Sequence, residues 1–313
     1  MNNPEELFFD SRDKESKIHA MLWRPAETPI CILQIIHGMA EHISCYSHFA
    51  MAMAERGILV VGEDHLGHGD SVSEGGTYGY FCKEEAATVV VRDVHRLKKM
   101  IQEQNPGIPY YILGHSMGSF ILRNYLLRYG KGIDGAIIVG TGMQPKMTIA
   151  LGKAMTRVLA LFQGWKHHST IMNGIAFGTY NKGIQNLETE FDWICTDKNR
   201  VNSYVADEAC GFTFTLNGFH TLFTLLEGLT KEGRFQAIPK DLPVLISSGT
   251  QDPVGAYGKH VTELYETYRH EGMTDVTCKL YDNMRHEIMN EQGKEIVYQD
   301  IYQWIKCHID KRV

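Results

Sequence analysis

Short apolar runs that end in glycine or a polar loop alternate with helix-periodic stretches along most of this chain, and that alternation leaves few folds open. "CILQIIHG" (31–38) is a continuous apolar run ending in Gly, the pattern of a parallel strand buried on both faces. A helical stretch over 46–57 stops at Gly57, and "ILVVGEDHLGHG" (58–69) reads as the next strand and its loop. In 84–104, Val90, Val94, Leu97 and Ile101 recur at spacings of 4, 3 and 4, one face of a helix closed by "NPG". "YYILG" runs into a helix that ends at Gly130, and "IDGAIIVG" (133–140) is strand-like. After a gap the pattern resumes with "LPVLISSGTQD" (242–252), a helix near 258–271 and the strand "VTCKLYDN" (276–283). In the last helix Val297, Ile301, Trp304, Ile305 and His308 share a face. "LFFD" and "IHAMLWRP" open the chain as an antiparallel pair. The expectation is a mostly parallel twisted sheet with helices on both faces.

Residues 141–240 interrupt this alternation with helical patches and aromatic clusters but no clear strand. Ligands in such sheets bind beyond the C-terminal strand ends. An insertion at this point should therefore sit above those ends. The expected organisation is a core of 1–140 and 241–313 with a mainly helical cap over 141–240. Composition excludes other classes. The 313 residues carry 43% hydrophobic and 22% charged side chains, ordinary for a globular chain. A net charge of −6 gives no reason to expect nucleic acid as a partner. No apolar run approaches the ~20 residues of a spanning helix. The first residues show no basic segment followed by an apolar one, so the expectation is a cytoplasmic protein without a transmembrane segment. Seven scattered cysteines with no C-x-x-C argue against a disulfide framework or a Cys-rich metal site.

"YYILGHSMGSF" (110–120) places Ser116 between Gly114 and Gly118 where a buried strand turns into a helix. A serine there could simply cap the helix. It also matches G-x-S-x-G, a turn so sharp that it pushes the serine hydroxyl out at the top of the sheet. A nucleophilic serine needs a base, and the base an orienting acid, in the chain order Ser, Asp, His. Asp252 follows the apolar run 244–249 directly, and His286 follows the run 276–281. Asp282 is the competing acid, four residues before His286 on the same strand end. The candidate triad is Ser116, Asp252 and His286. An oxyanion hole takes one N–H from the residue after the nucleophile, Met117, and one from the loop after the 31–36 strand, at Met39. His65, His68 and Asp70 are close enough to suggest a metal site, which the family resemblance given below implies is instead a structural loop, and no nucleotide loop occurs. No metal or cofactor is expected.

The stretch "IIHGMAEHISCYSHFAMAMAERGILVVGEDHLGHGDS" resembles the monoacylglycerol lipase and lysophospholipase-like branch of the α/β hydrolases, also labelled serine aminopeptidase-like. The pattern of that branch is H-G-x-G-E-H, a Tyr-containing helix, D-x-x-G-H-G-x-S and G-H-S-M-G-G. It is matched by His37, Gly38, Glu41, His42, Tyr46, Asp64, His65, Gly67, His68, Gly69, Ser71 and Gly114 to Gly118. Ala40, Met39 and Ser119 depart from it, at positions that bear on the width of the acyl pocket. The cap stretch "DWICTDKNRVNSYVADEACGFTFTLNGF" is similar to a bacterial subset. The resemblance implies an α/β-hydrolase fold and hydrolysis of monoacylglycerol- or lysophospholipid-type esters through an acyl-enzyme. His37, Gly38, His115, Met143 and Phe212 are the candidate substrate-binding residues. Two other readings keep the fold. One is a short-chain esterase, thioesterase or aminoacyl-amide hydrolase with the same triad. The other is a binding protein with an idle triad.

Residues 141–187 contain no Asp or Glu but carry Lys146, Lys153, Arg157, Lys166 and Lys182, against a net −6 that leaves −11 for the rest. A lid helix packed on its pocket with solvated charges accounts for this. Peripheral contact of the cap with an anionic membrane surface is the sharper expectation. Phe177, Tyr180, Phe191, Trp193, Phe212, Phe214, Phe219 and Phe223 are expected mostly in the cap core, with a few along an acyl tunnel.

Overall fold

The structure, a computed structural model, describes residues 4–231 and 233–311. Among the described residues, eight strands form one sheet: β1 (Glu5–Asp10), β2 (Lys17–Trp23), β3 (Cys31–Ile36), β4 (Ile58–Glu63), β5 (Tyr110–His115), β6 (Gly135–Val139), β7 (Val244–Gly249) and β8 (Val276–Tyr281). Their spatial order is β1-β2-β4-β3-β5-β6-β7-β8. β1 and β2 pair antiparallel, β2 joins β4 antiparallel, and every other pairing is parallel. The continuous apolar runs become strands buried along their whole length in β3, β4, β5, β6 and β7, because helices cover both faces.

Five helices belong to the sheet: α1 (Ser47–Ala54), α2 (Ala86–Gln104), α3 (Met117–Tyr129), α8 (Lys259–His270) and α9 (Lys294–Asp310), numbered in chain order with the insertion's four. One hydrophobic cluster fills the face under α2, α3 and α8, with Val94, Leu97, Ile121 and Leu264. A second lies under α1 and α9, with Phe49, Met53, Val297, Ile301 and Ile305. The predicted α9 face is buried except for Trp304, which is half-buried.

Between β6 and β7 the chain forms α4 (Lys146–Gln163), α5 (Thr170–Phe177), α6 (Lys198–Ala206) and α7 (Leu216–Gly228). Among the described residues of this segment, called the cap below, Ile149, Met172, Phe214, Phe219 and Leu225 join the α2–α3 cluster, while Ile194, Val201 and Tyr204 belong to a separate small cluster. Caps are made locally: the side chains of Ser169, Asp197 and Thr215 accept from backbone N–H groups at the starts of α5, α6 and α7.

Candidate active site

Ser116 sits between β5 and α3 with φ 53° and ψ −120°, a backbone state rare for a residue with a side chain. The flanking glycines explain how it is reached. A methyl group on Gly114 would strike Gly118 O, and one on Gly118 would strike Ile36 O and His37 O. The helix thus starts hard against β3, and the serine is thrown to the end of the sheet. Ser119, where the family pattern has glycine, fits because its Oγ lies 2.6 Å from Ser116 O and 2.8 Å from Thr141 Oγ1. Buried Arg123 reaches the same Thr141 hydroxyl and Gly142 O.

Asp252 is fully buried after β7, and His286 is buried in the loop after β8. Their Nδ1 and Oδ2 atoms lie 3.0 Å apart, close enough for an ion pair, although the N–H is not aimed straight along that line. Asp252 also accepts from Ser248 Oγ at 2.7 Å and from the Val254 N–H at 2.9 Å. Burial pushes its pKa up, but the His286 charge and these donors outweigh burial and hold the carboxyl below its usual range. Asp282, the competing acid, is exposed. Gly140 leaves the room: a Cβ there would press on the rings of both His286 and His115.

The loop after β3 is organised by Glu41. Its buried carboxylate accepts from the Gly38 N–H and from Tyr46 OH (2.6 Å), and lies 3.4 Å from His115 Nδ1. The His115 ring also meets Tyr46 OH at 2.8 Å and His286 O at 3.2 Å. Both its nitrogens therefore face acceptors, which suits the protonated ring. Burial opposes that charge, yet Glu41 raises the His115 pKa, and His115 in turn holds Glu41 down at about 2 against its own burial. Glu41 thus links the Gly38 turn to the backbone of the His286 loop. Sequence reasoning found Glu41 only as a motif letter.

A cavity of about 680 Å³ opens above Ser116 and His286. Gly38, Met39, Met117, His115 and Phe212 line it. His37 and Met143 do not, which corrects the expectation for both. His37 is fully buried behind the loop, with Nδ1 on Gly38 O, Nε2 on the His65 N–H, and its ring 4.0 Å from the His65 ring. Burial and its histidine neighbours keep it neutral. Arg123 holds Gly142 O, and Met143 beyond it lines a separate hollow with Lys259, Thr262 and Glu263 of α8. The cap aromatics were also misjudged: Phe177, Tyr180, Phe191, Trp193, Phe212 and Phe223 all line the cavity, while Phe214 and Phe219 are core.

The cap also grips the His286 loop, which the sequence did not signal. Arg200 pairs with buried Glu287 through two hydrogen bonds, and Glu287 N donates to Ile194 O. Arg285 reaches Asp192 O and Cys195 O, and the Trp193 ring packs 5.1 Å from that of His286.

A serine on a strained strand–helix turn, a buried Asp–His pair from the loops after β7 and β8 and a helical insertion form the layout of an α/β hydrolase. A family model described as "Serine aminopeptidase, S33" matches residues 27–293, and the chain belongs to that family. Monoglyceride lipase of Mus musculus is 36% identical over 92% of this chain and 86% of its own length. Monoacylglycerol lipase of Mycolicibacterium smegmatis is 26% identical over 92% of each chain. The crystal structure of a thermostable carboxyl esterase from Bacillus coagulans, in complex with glycerol, superposes with a TM-score of 0.90 at 28% identity over 99% of this chain and 100% of that one. The chain is a serine ester hydrolase.

Proposed function

We propose that this hydrolase cleaves monoacylglycerol- or lysophospholipid-type esters through an acyl-enzyme on Ser116. Ser116 Oγ attacks the acyl carbon. His286 Nε2 takes the serine proton, while Nδ1 stays on Asp252, and then passes that proton to the leaving alcohol. The Met39 and Met117 N–H groups face the developing oxyanion. Water, activated by the same imidazole, then frees the acid.

The observation that carries the substrate class is the cavity. It is lined by Ser116 and Met39, by Ile149, Leu151 and Met155 of α4, by Met172 and Ile175 of α5, and by Leu222 and Leu226 of α7. That lining is apolar, and the volume falls inside the ~300–1,000 Å³ usual for small-molecule sites. Lipase relatives and a glycerol-bound esterase neighbour support a glycerol-type head group. Met39 favours the short-ester alternative, while the cavity's volume of about 680 Å³ and its lining from α4, α5 and α7 favour a longer acyl chain. The test is kcat/KM for a long-chain monoacylglycerol against a short-chain ester of the same alcohol, with Ser116→Ala as blank. We expect a ratio of about tenfold or more, since each buried CH₂ contributes ~0.8 kcal/mol. A ratio well below one would make this a short-ester hydrolase.

A second reading concerns the outer cap. Met147, Val158, Leu161 and Phe162 of α4 and Ile171 of α5 are exposed, with Leu161 and Phe162 above 80%. Such a patch suits a lipid surface. Charge supports this less than the sequence suggested, because Lys153 pairs with Glu227 at 2.7 Å and Lys166 lies over the Tyr80 ring. Vesicle sedimentation should therefore show binding that survives high salt and falls with Leu161→Ser/Phe162→Ser. Binding lost in salt would favour a charge-driven contact instead.

A further inference from the structure

Two x-x-spaced donor pairs face each other across the seam between the Glu41 loop and the cap: His42-Ile43-Ser44-Cys45 and Asp207-Glu208-Ala209-Cys210. Cys45 Sγ and Cys210 Sγ lie 3.7 Å apart, and His42 Nε2 lies 2.9 Å from Asp207 Oδ2. The other imidazole nitrogen, His42 Nδ1, lies 2.8 Å from Ser44 Oγ, a contact a ligating nitrogen would exchange for the metal. One atom each from His42, Cys45 and Cys210 falls within 4.8 Å of the other two.

We propose that His42, Cys45 and Cys210 are ligands of a structural Zn²⁺ ion, with Asp207 orienting the imidazole. Two thiolates bound tetrahedrally to zinc at about 2.3 Å stand roughly 3.8 Å apart, close to the separation seen here. A disulfide would need the sulfurs at about 2.05 Å and would have no use for the imidazole or carboxylate beside them. A carboxylate on the far nitrogen of a ligating histidine is the usual second partner of such a site. Soft sulfur and imidazole donors select zinc over magnesium or calcium.

The site has a structural consequence. Ala40 O accepts from Gly211 N at 2.9 Å and from Tyr204 OH at 2.8 Å, so the same seam carries the loop with Gly38, Met39 and Glu41. Zinc would lock that seam without touching substrate. The sequence reading expected no metal because its donors lie 165 residues apart and include no C-x-x-C.

The test uses the full chain, reduced, stripped by chelator and titrated with Co²⁺. We expect one Co²⁺ per chain with thiolate-to-cobalt charge-transfer absorption, displaced by Zn²⁺, and a rise in Tm on adding Zn²⁺. Cys45→Ser/Cys210→Ser should lose both signals while still unfolding cooperatively. Asp207→Asn should keep the absorption band but weaken affinity by roughly 10–100-fold. The proposal is overturned if the reduced parent gives no thiolate band, or if the band persists in the double variant. It is equally overturned if the pair shows only loss of two free thiols on oxidation, which would make it a disulfide pair.

Discussion

Ala40 holds φ +51° at the position where the family pattern has glycine. Left-handed backbone costs a residue with a Cβ roughly 1–2 kcal/mol, while glycine adds less than that in unfolded-state entropy. Ala40→Gly should therefore raise stability by about 0.5–1 kcal/mol, read as a higher midpoint in urea. An unchanged or lower midpoint would mean that the bonds to Gly211 and Tyr204 already offset the strain. The strained turn at Ser116 was legible from the sequence, because the need for Gly114 and Gly118 arises within a few residues. The hub role of Glu41 was not legible. Two of its partners are near in the chain, but His115 lies 74 residues away. No local pattern announces a carboxylate that links a turn to a distant histidine.

Strands and core helices were legible because each carries its own period and its own stop signal. The expected helix over 46–57 differs in detail: a short 3-10 turn over Ile43–Tyr46 precedes α1, and the helix itself starts at Ser47. Cap elements were harder to read. Several of their apolar side chains face the cavity or lie exposed instead of packing on the sheet, so an apolar face there does not mark a buried one. The contact between the cap and the His286 loop belongs to this scale. Glu287 is buried and Arg200 nearly so, and removing one partner of such a pair costs about 3–5 kcal/mol. Arg200→Ala should lose that much in denaturant unfolding and lower kcat through a looser His286. Arg200→Met/Glu287→Gln should recover most of the stability by removing the stranded charge. Equal stability of parent and Arg200→Ala would show that the pair does not hold the loop.

At the scale of the whole molecule, the sheet brings Ser116, Asp252 and His286 together from three strand ends, and the insertion roofs them. The sequence offered the insertion and the chain order of the three residues as expectations. It placed His37 and Met143 at the pocket wrongly, since motif letters do not say which way a side chain turns at a strand end. It also missed how far the cap aromatics open onto the cavity. The central claim is that Ser116 carries the acyl group. The most direct measurement is mass-spectrometric mapping of the protein after reaction with a long-chain fluorophosphonate. The account predicts a single adduct on Ser116, formed in proportion to lost ester turnover, and no adduct or turnover in a folded Ser116→Ala. An adduct on another residue with turnover lost, or turnover surviving in Ser116→Ala, would contradict it.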